Sequence, residues 1–239
     1  MPPPRTVRAE THCPDHCCHH CGVTDDPRAT LTRKEGRASS ERATLDSLLD
    51  EVPVGVLSTV VDGMPWSVPM FFARDGDRVL LHGSTGAGAL RQVSDGAPAT
   101  LTVLSLDGFV VAFNAFESSA NYRSAVLRGT LQTLSGPEAA AGLETLTDRL
   151  FPGRTREVVP STTKELSATV CLSLPIAEGS WLYKCREGGS EPPDGEPTRA
   201  WTGVVPLRVT AGEPERDAWN TSGAPVPDSV HAILRAYPR

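Results

Sequence analysis

Asp-Gly dipeptides stand at Asp62-Gly63, Asp75-Gly76 and Asp107-Gly108, each between two short runs rich in β-branched and aromatic residues. Such a dipeptide supplies the positive φ angles of a two-residue antiparallel turn, whereas parallel strands need long crossovers. Hairpins are therefore expected: strands at 54–60 and 66–73 around the first turn, 78–82 after the second, and 99–106 and 109–116 around the third. Further strands are expected at 122–134, 169–174 and 181–186. Helices are expected at 39–51, where Ala43, Leu45, Leu48 and Leu49 follow a capping-type start, near 87–93, and at 137–150 with Leu143, Leu146 and Leu150 on one face. About eight short strands with two or three non-alternating helices make a mainly β chain, closed or half-closed as an antiparallel barrel.

With 39% hydrophobic and 22% charged residues, the chain has enough apolar material for a core. Lys and Arg number 23 against 29 Asp and Glu, a net charge of −6 that removes the basic footprint of a nucleic-acid binder. The longest apolar stretches, such as 109–113, fall far below the roughly 18 residues of a membrane helix. The N-terminus opens Met-Pro-Pro-Pro-Arg without an apolar run of signal-peptide length, so a cytoplasmic location is expected. Residues 1–32 lack any helical or strand period and are interrupted by proline, as in a disordered tail. Within it, Cys13, Cys17, Cys18 and Cys21 lie among His12, His16, His19 and His20. Reduced thiolates and neutral imidazoles suit Zn²⁺ or copper, with Cys13, His16, Cys17, Cys18, His20 and Cys21 as candidate ligands. Eight donors exceed the four of a tetrahedral site, so a loose metal sink and a segment without a role both stay open. The barrel is expected over 33–186, a Gly- and Pro-rich loop over 187–200, and an extension packing on the barrel over 201–239.

Several pieces, in order, resemble one family. They are Gly55-Val56-Leu57-Ser58-Thr59, Pro65-Trp66-Ser67-Val68-Pro69-Met70, Leu80-Leu81-His82-Gly83-Ser84, Asn121-Tyr122-Arg123-Ser124 and Trp201-Thr202-Gly203-Val204-Val205-Pro206-Leu207. Together they resemble the pyridoxamine 5′-phosphate oxidase-like flavin-binding split barrels, in the branch that includes nitroimidazole-resistance reductases. The resemblance implies a six-stranded antiparallel Greek-key split β-barrel of the FMN-binding type. It also implies a homodimer with FMN in a cleft at the interface. Pro69 and Met70 would lay strand backbone beside the flavin ring, and the turn of Gly83, Ser84 and Thr85, with Arg91 beyond it, would meet the phosphate. Asn121, Tyr122, Arg123, Ser124 and Trp201 would complete the cofactor set. Ala87 and Gly88 stand where relatives carry hydroxyl and basic side chains, so weak, micromolar FMN binding is expected.

His82 and Arg123 are the candidate catalytic residues of a flavin-dependent oxidoreductase acting on a small molecule. His82 suits a cofactor contact, a proton shuttle, a haem ligand or a purely structural role. Arg123 suits a phosphate or carboxylate, or an ordinary ion pair. Alternatives are haem or a deazaflavin in the same cleft, or a non-catalytic dimeric scaffold. No Ser-His-Asp set can be assembled, because His82 and His231 are the histidines beyond the tail. Cys171 reads as a small buried hydrophobe.

Overall fold

The computed structural model describes residues 35–86, 90, 96–195 and 199–238. A two-residue strand, β1 (Ala38–Ser39), leads into α1 (Arg42–Glu51). The helix starts later than 39 because Ser39 is held in β1, which pairs with a later strand, and its Oγ accepts the Glu41 N–H at 3.2 Å. Leu45, Leu48 and Leu49 of α1 are buried in the barrel core, each such side chain contributing roughly 1.5–3 kcal/mol.

The first expected hairpin is present. β2 (Val54–Val61) and β3 (Met64–Asp75) pair without interruption from Val61↔Met64 to Val54↔Phe71, and Asp62 and Gly63 have φ of 51° and 76°. β4 (Arg78–Ser84) follows a turn with Gly76 at φ 59°. The third Asp-Gly does not make a hairpin. β5 (Pro98–Val111) runs straight through it, with a bulge between Leu106 and Gly108. Two contacts explain this. Asp107 is held by Arg123 and Ser105, and a Cβ at position 108 would lie 2.8 Å from the backbone oxygen of Val205. The glycine admits a neighbouring strand rather than a turn.

The expected strand at 122–134 is divided into β6 (Ser119–Thr130) and β7 (Gln132–Leu134). Between them Leu131 is fully buried and exchanges backbone hydrogen bonds with Gly96 and Ala97, so the chain changes partners there. α2 (Gly136–Leu150) lies over the sheet with Leu146 buried, and α3 (Thr163–Ser167) opens with a reciprocal cap between Thr162 and Glu165. β8 (Thr169–Pro175) and β9 (Trp181–Arg186) follow, then β10 (Gly203–Pro206), which pairs with residues 108–111 of β5.

The strand order is β1-β9-β6-β5-β2-β3-β4-β8-β7, with β10 added on β5. This path curls until β6 meets β8, where a Cβ at Gly129 would lie 3.0 Å from Leu174. Among the described residues there are ten strands where six are expected. The six longest are β2 to β6 and β8, which supply most of the core, and β1, β7, β9 and β10 extend their margins. The last helix, α4 (Asp228–Ala236), is tied to the body where Ser229 donates through N–H and Oγ to Glu157. The short helix expected near 87–93 falls on residues that, apart from Leu90, lie outside the described ones.

Candidate functional site

Strand alternation sorts the barrel residues into two sets. Leu57, Val68, Met70, Leu101, Val103, Ala125, Leu127 and Tyr183 point into the core. The opposite parity forms an outer face across β3, β2, β5, β6 and β9. One of its rows is Pro69, Val56, Thr102, Val126 and Leu182. Phe71 (50% exposed), Leu104 (59%), Val54 (40%) and Val56 (37%) lie open on this face. Strands apolar on both faces are those that a second layer covers. Of the expected cofactor residues, Pro69, Tyr122 and Ser124 are on this face. Lys184 Nζ sits 5.9 Å from the centre of the Tyr122 ring, and Ser124 Oγ donates to the Lys184 carbonyl. Met70 instead packs into the core, so only its backbone is open to a ligand on this side.

His82 is elsewhere. It follows Leu81 on β4 and shares the face of Leu80 and of its cross-strand partner Cys171, beneath α2 and α3. Its imidazole lines a cavity of about 240 Å³ with Leu143, Leu146, Leu150, Phe151 and Leu166. Thr147, Ser161, Glu165 and Thr169 complete the lining, and His82 itself is exposed at the cavity mouth. Partial desolvation there lowers its pKa from the usual histidine value. The shift favours the neutral imidazole.

Arg123 is engaged rather than free. Its Nη1 and Nη2 donate to the two oxygens of Glu51 at 2.5 and 2.7 Å, and Nε and Nη2 donate to Asp107 at 3.0 and 2.8 Å. The pairing raises the arginine pKa and lowers those of Glu51 and Asp107. The guanidinium thereby clamps the end of α1 to β5 and β6. His82 and Arg123 do not share a cleft.

The turn expected to offer N–H groups to a phosphate is engaged internally. Thr85 donates through N–H and Oγ1 to the Ala168 carbonyl, and the Gly86 N–H donates to Ser84 Oγ. Gly83 answers to packing, since a Cβ there would lie 2.3 Å from Leu90. Asn121 is buried and accepts from Arg186 Nη1 at 2.6 Å. Trp201 is 66% exposed and folds over Gly203. Arg91, Ala87, Gly88 and the Cys/His residues of the tail lie outside the described residues. Among the described residues there is no group of three metal-ligating side chains, and no helix is long and apolar enough to cross a membrane.

The pyridoxamine 5′-phosphate oxidase family model matches residues 41–181. The chain belongs to this family. Among solved structures, an FAD and haem binding protein from Mycobacterium smegmatis is 42% identical, with 82% of this chain and 97% of that one covered and a TM-score of 0.78. The flavocytochrome Anf3 from Azotobacter vinelandii is 31% identical over 86% and 95% of the two chains, also with a TM-score of 0.78. A protein from Bacteroides thetaiotaomicron, associated by name with 5-nitroimidazole antibiotic resistance, is 16% identical over 62% and 86% with a TM-score of 0.51, and shares the fold. No curated protein matches the chain. The expected split-barrel fold and its family are thus established for this family member. Motif reading missed the outer-face residues Val54, Val56, Phe71, Thr102, Leu104 and Arg128. Apolar side chains of both parities along β2 and β3 are the signal for Val54, Val56 and Phe71.

Proposed function

We propose that this family member is a flavin-dependent redox protein that binds FAD, works as a homodimer and acts on a small molecule. The observation that carries the reading is the open outer face, with Val54, Val56, Phe71 and Leu104 exposed together across three adjacent strands. Soluble monomers rarely leave a contiguous apolar area of this kind uncovered. The residues fit a flavin at a dimer seam. The floor is flat and apolar, and the hydroxyls of Thr102 and Ser124 can meet ring heteroatoms. FAD is favoured over FMN or a deazaflavin because the 42% identical relative is described as binding FAD.

A bound flavin supplies the electron and hydride chemistry. The chain binds and orients it: Val56 and Pro69 floor the ring, Ser124 offers a hydroxyl, and a second copy excludes water from the seam. Arg123 serves the fold and not the ligand, because its guanidinium is tied to Glu51 and Asp107. Titration of apo-protein with FAD tests the reading. Saturable quenching of flavin fluorescence is expected, and its absence would refute the proposal.

Haem is a second reading, favoured by His82. An imidazole at the mouth of a partly apolar cavity can serve as an iron ligand. The cavity of about 240 Å³ is smaller than the roughly 300–1,000 Å³ of cofactor-sized pockets, so it would not hold a whole macrocycle. His82→Ala should abolish a haem-dependent absorption band on titration while leaving FAD binding intact. An unchanged band would remove His82 from the role. Zn²⁺ or copper binding by residues 12–21 is a separate proposal. Deleting residues 1–32 should remove bound metal and leave Tm nearly unchanged, and a large fall in Tm would contradict a dispensable tail.

A further inference from the structure

Arg128 stands on the outer face of β6, one outward position beyond Val126, and pairs across the sheet with Thr100 of β5. Thr100 pairs with Ser58 of β2, and Ser58 with Ser67 of β3. A polar row of Arg128, Thr100, Ser58 and Ser67 therefore crosses four strands beside the row of Val126, Thr102, Val56 and Pro69. Ser67 Oγ donates to Ser58 Oγ at 2.8 Å. Arg128 is half-buried, and its Nη1 is buried with no hydrogen-bond partner among the described residues. A cationic donor shut from water without a partner is unfavourable until an anion compensates it. Folded proteins keep few such groups, so this nitrogen is an unmet donor on a half-buried side chain of the outer face.

A second observation is the sign of the face. The chain carries a net charge of −6, yet the outward positions of β2, β5, β6 and β9, and of β3 from Pro65 to Phe71, include Arg128, Lys184 and Arg186 and no Asp or Glu. Arg186 Nη1 is already given to Asn121, which leaves Arg128 and Lys184 facing outward. A positively charged patch on an acidic protein complements a polyanionic ligand.

We infer that Arg128, with the hydroxyls of Thr100, Ser58 and Ser67, forms an anion subsite that takes the pyrophosphate of FAD. The inference deepens the flavin reading and rests on it. A planar guanidinium meets phosphate oxygens in a two-point bond that a lysine cannot reproduce, and the serine and threonine hydroxyls add neutral donors. The subsite makes affinity depend on the phosphate tail and not on the ring alone.

Fluorescence titrations of wild type, Arg128→Gln and Arg128→Lys with FAD and with riboflavin test it, with sedimentation velocity on each. Arg128→Gln should weaken FAD binding by about ten- to a hundred-fold and leave riboflavin affinity unchanged. Arg128→Lys should recover part of the FAD affinity. Equal losses for FAD and riboflavin, or no loss for either, would overturn the assignment. Dissociation of the dimer with unchanged FAD affinity per chain would also overturn it and make an acidic group of a second copy the partner. Wild type that binds neither flavin would overturn the flavin reading itself.

Discussion

Val56→Asp should yield a folded monomer that no longer retains flavin. Val56 lies between Pro69 and Thr102 on the outer face and is 37% exposed in the single chain, so the substitution meets water and not the core. The loss of β propensity costs at most about 1 kcal/mol. In a dimer sealed across this face, each copy would instead bury an uncompensated carboxylate, at roughly 3–5 kcal/mol. That corresponds to a rise of about 10²–10⁴-fold in the dimer Kd. Analytical ultracentrifugation and flavin content measured on the same sample check the outcome. A variant that stays dimeric and keeps its flavin would show that the dimer and the cofactor lie elsewhere.

Arg123→Ala should lower stability by about 1–3 kcal/mol, with the lower part of the range reflecting the solvent exposure of Glu51. For a domain of this size that is a fall in Tm of about 2–4 °C per kcal/mol, measured by differential scanning calorimetry. The substitution removes five donated bonds and leaves Glu51 and Asp107 facing each other without their cation. The pH dependence follows from the direction of the carboxyl shifts. Hydrogen bonds from Arg123 hold both groups below their ordinary pKa values, and Ser105 adds to the effect at Asp107. Their contribution is therefore present above about pH 4, where the unfolded carboxyls are ionised, and is lost as the pH falls through the lower folded-state values. Wild type should lose stability over that acid range more steeply than Arg123→Ala. Parallel acid limbs would mean that the clamp contributes nothing. FAD affinity should be nearly unaffected, in contrast to the effect expected at Arg128.

The contrast between two Asp-Gly dipeptides shows what local sequence can and cannot convey. At Asp62-Gly63 the flanking runs pair with each other along their whole length from the turn outward, so turn chemistry and fold agree. At Asp107-Gly108 the same dipeptide is overridden by tertiary partners: Arg123 is sixteen residues away, and β10 approaches the glycine from the far end of the chain. Neither partner is visible in a short window. The strand boundary at Leu131 was hidden for a similar reason, since the residue is apolar like its neighbours and only its bonds to Gly96 and Ala97 break the ladder.

The candidate site was legible in family and partly in residues. Pro69, Tyr122 and Ser124 fall on the outer face, whereas Met70 turns inward and Arg123 is tied to carboxylates contributed by α1 and β5. An arginine next to a motif tyrosine looks the same in sequence whether its counter-ion is a ligand or a distant glutamate. Arg128 lies between Leu127 and Gly129 in no motif, and its unpartnered nitrogen is a property of the folded sheet.

Size-exclusion chromatography of the untreated protein, with absorbance recorded across the visible range and mass by light scattering, tests the central claim most directly. The account predicts a single species of two chains that carries flavin absorption and releases FAD on denaturation. A colourless monomer that stays colourless and monomeric after incubation with excess FAD would contradict it.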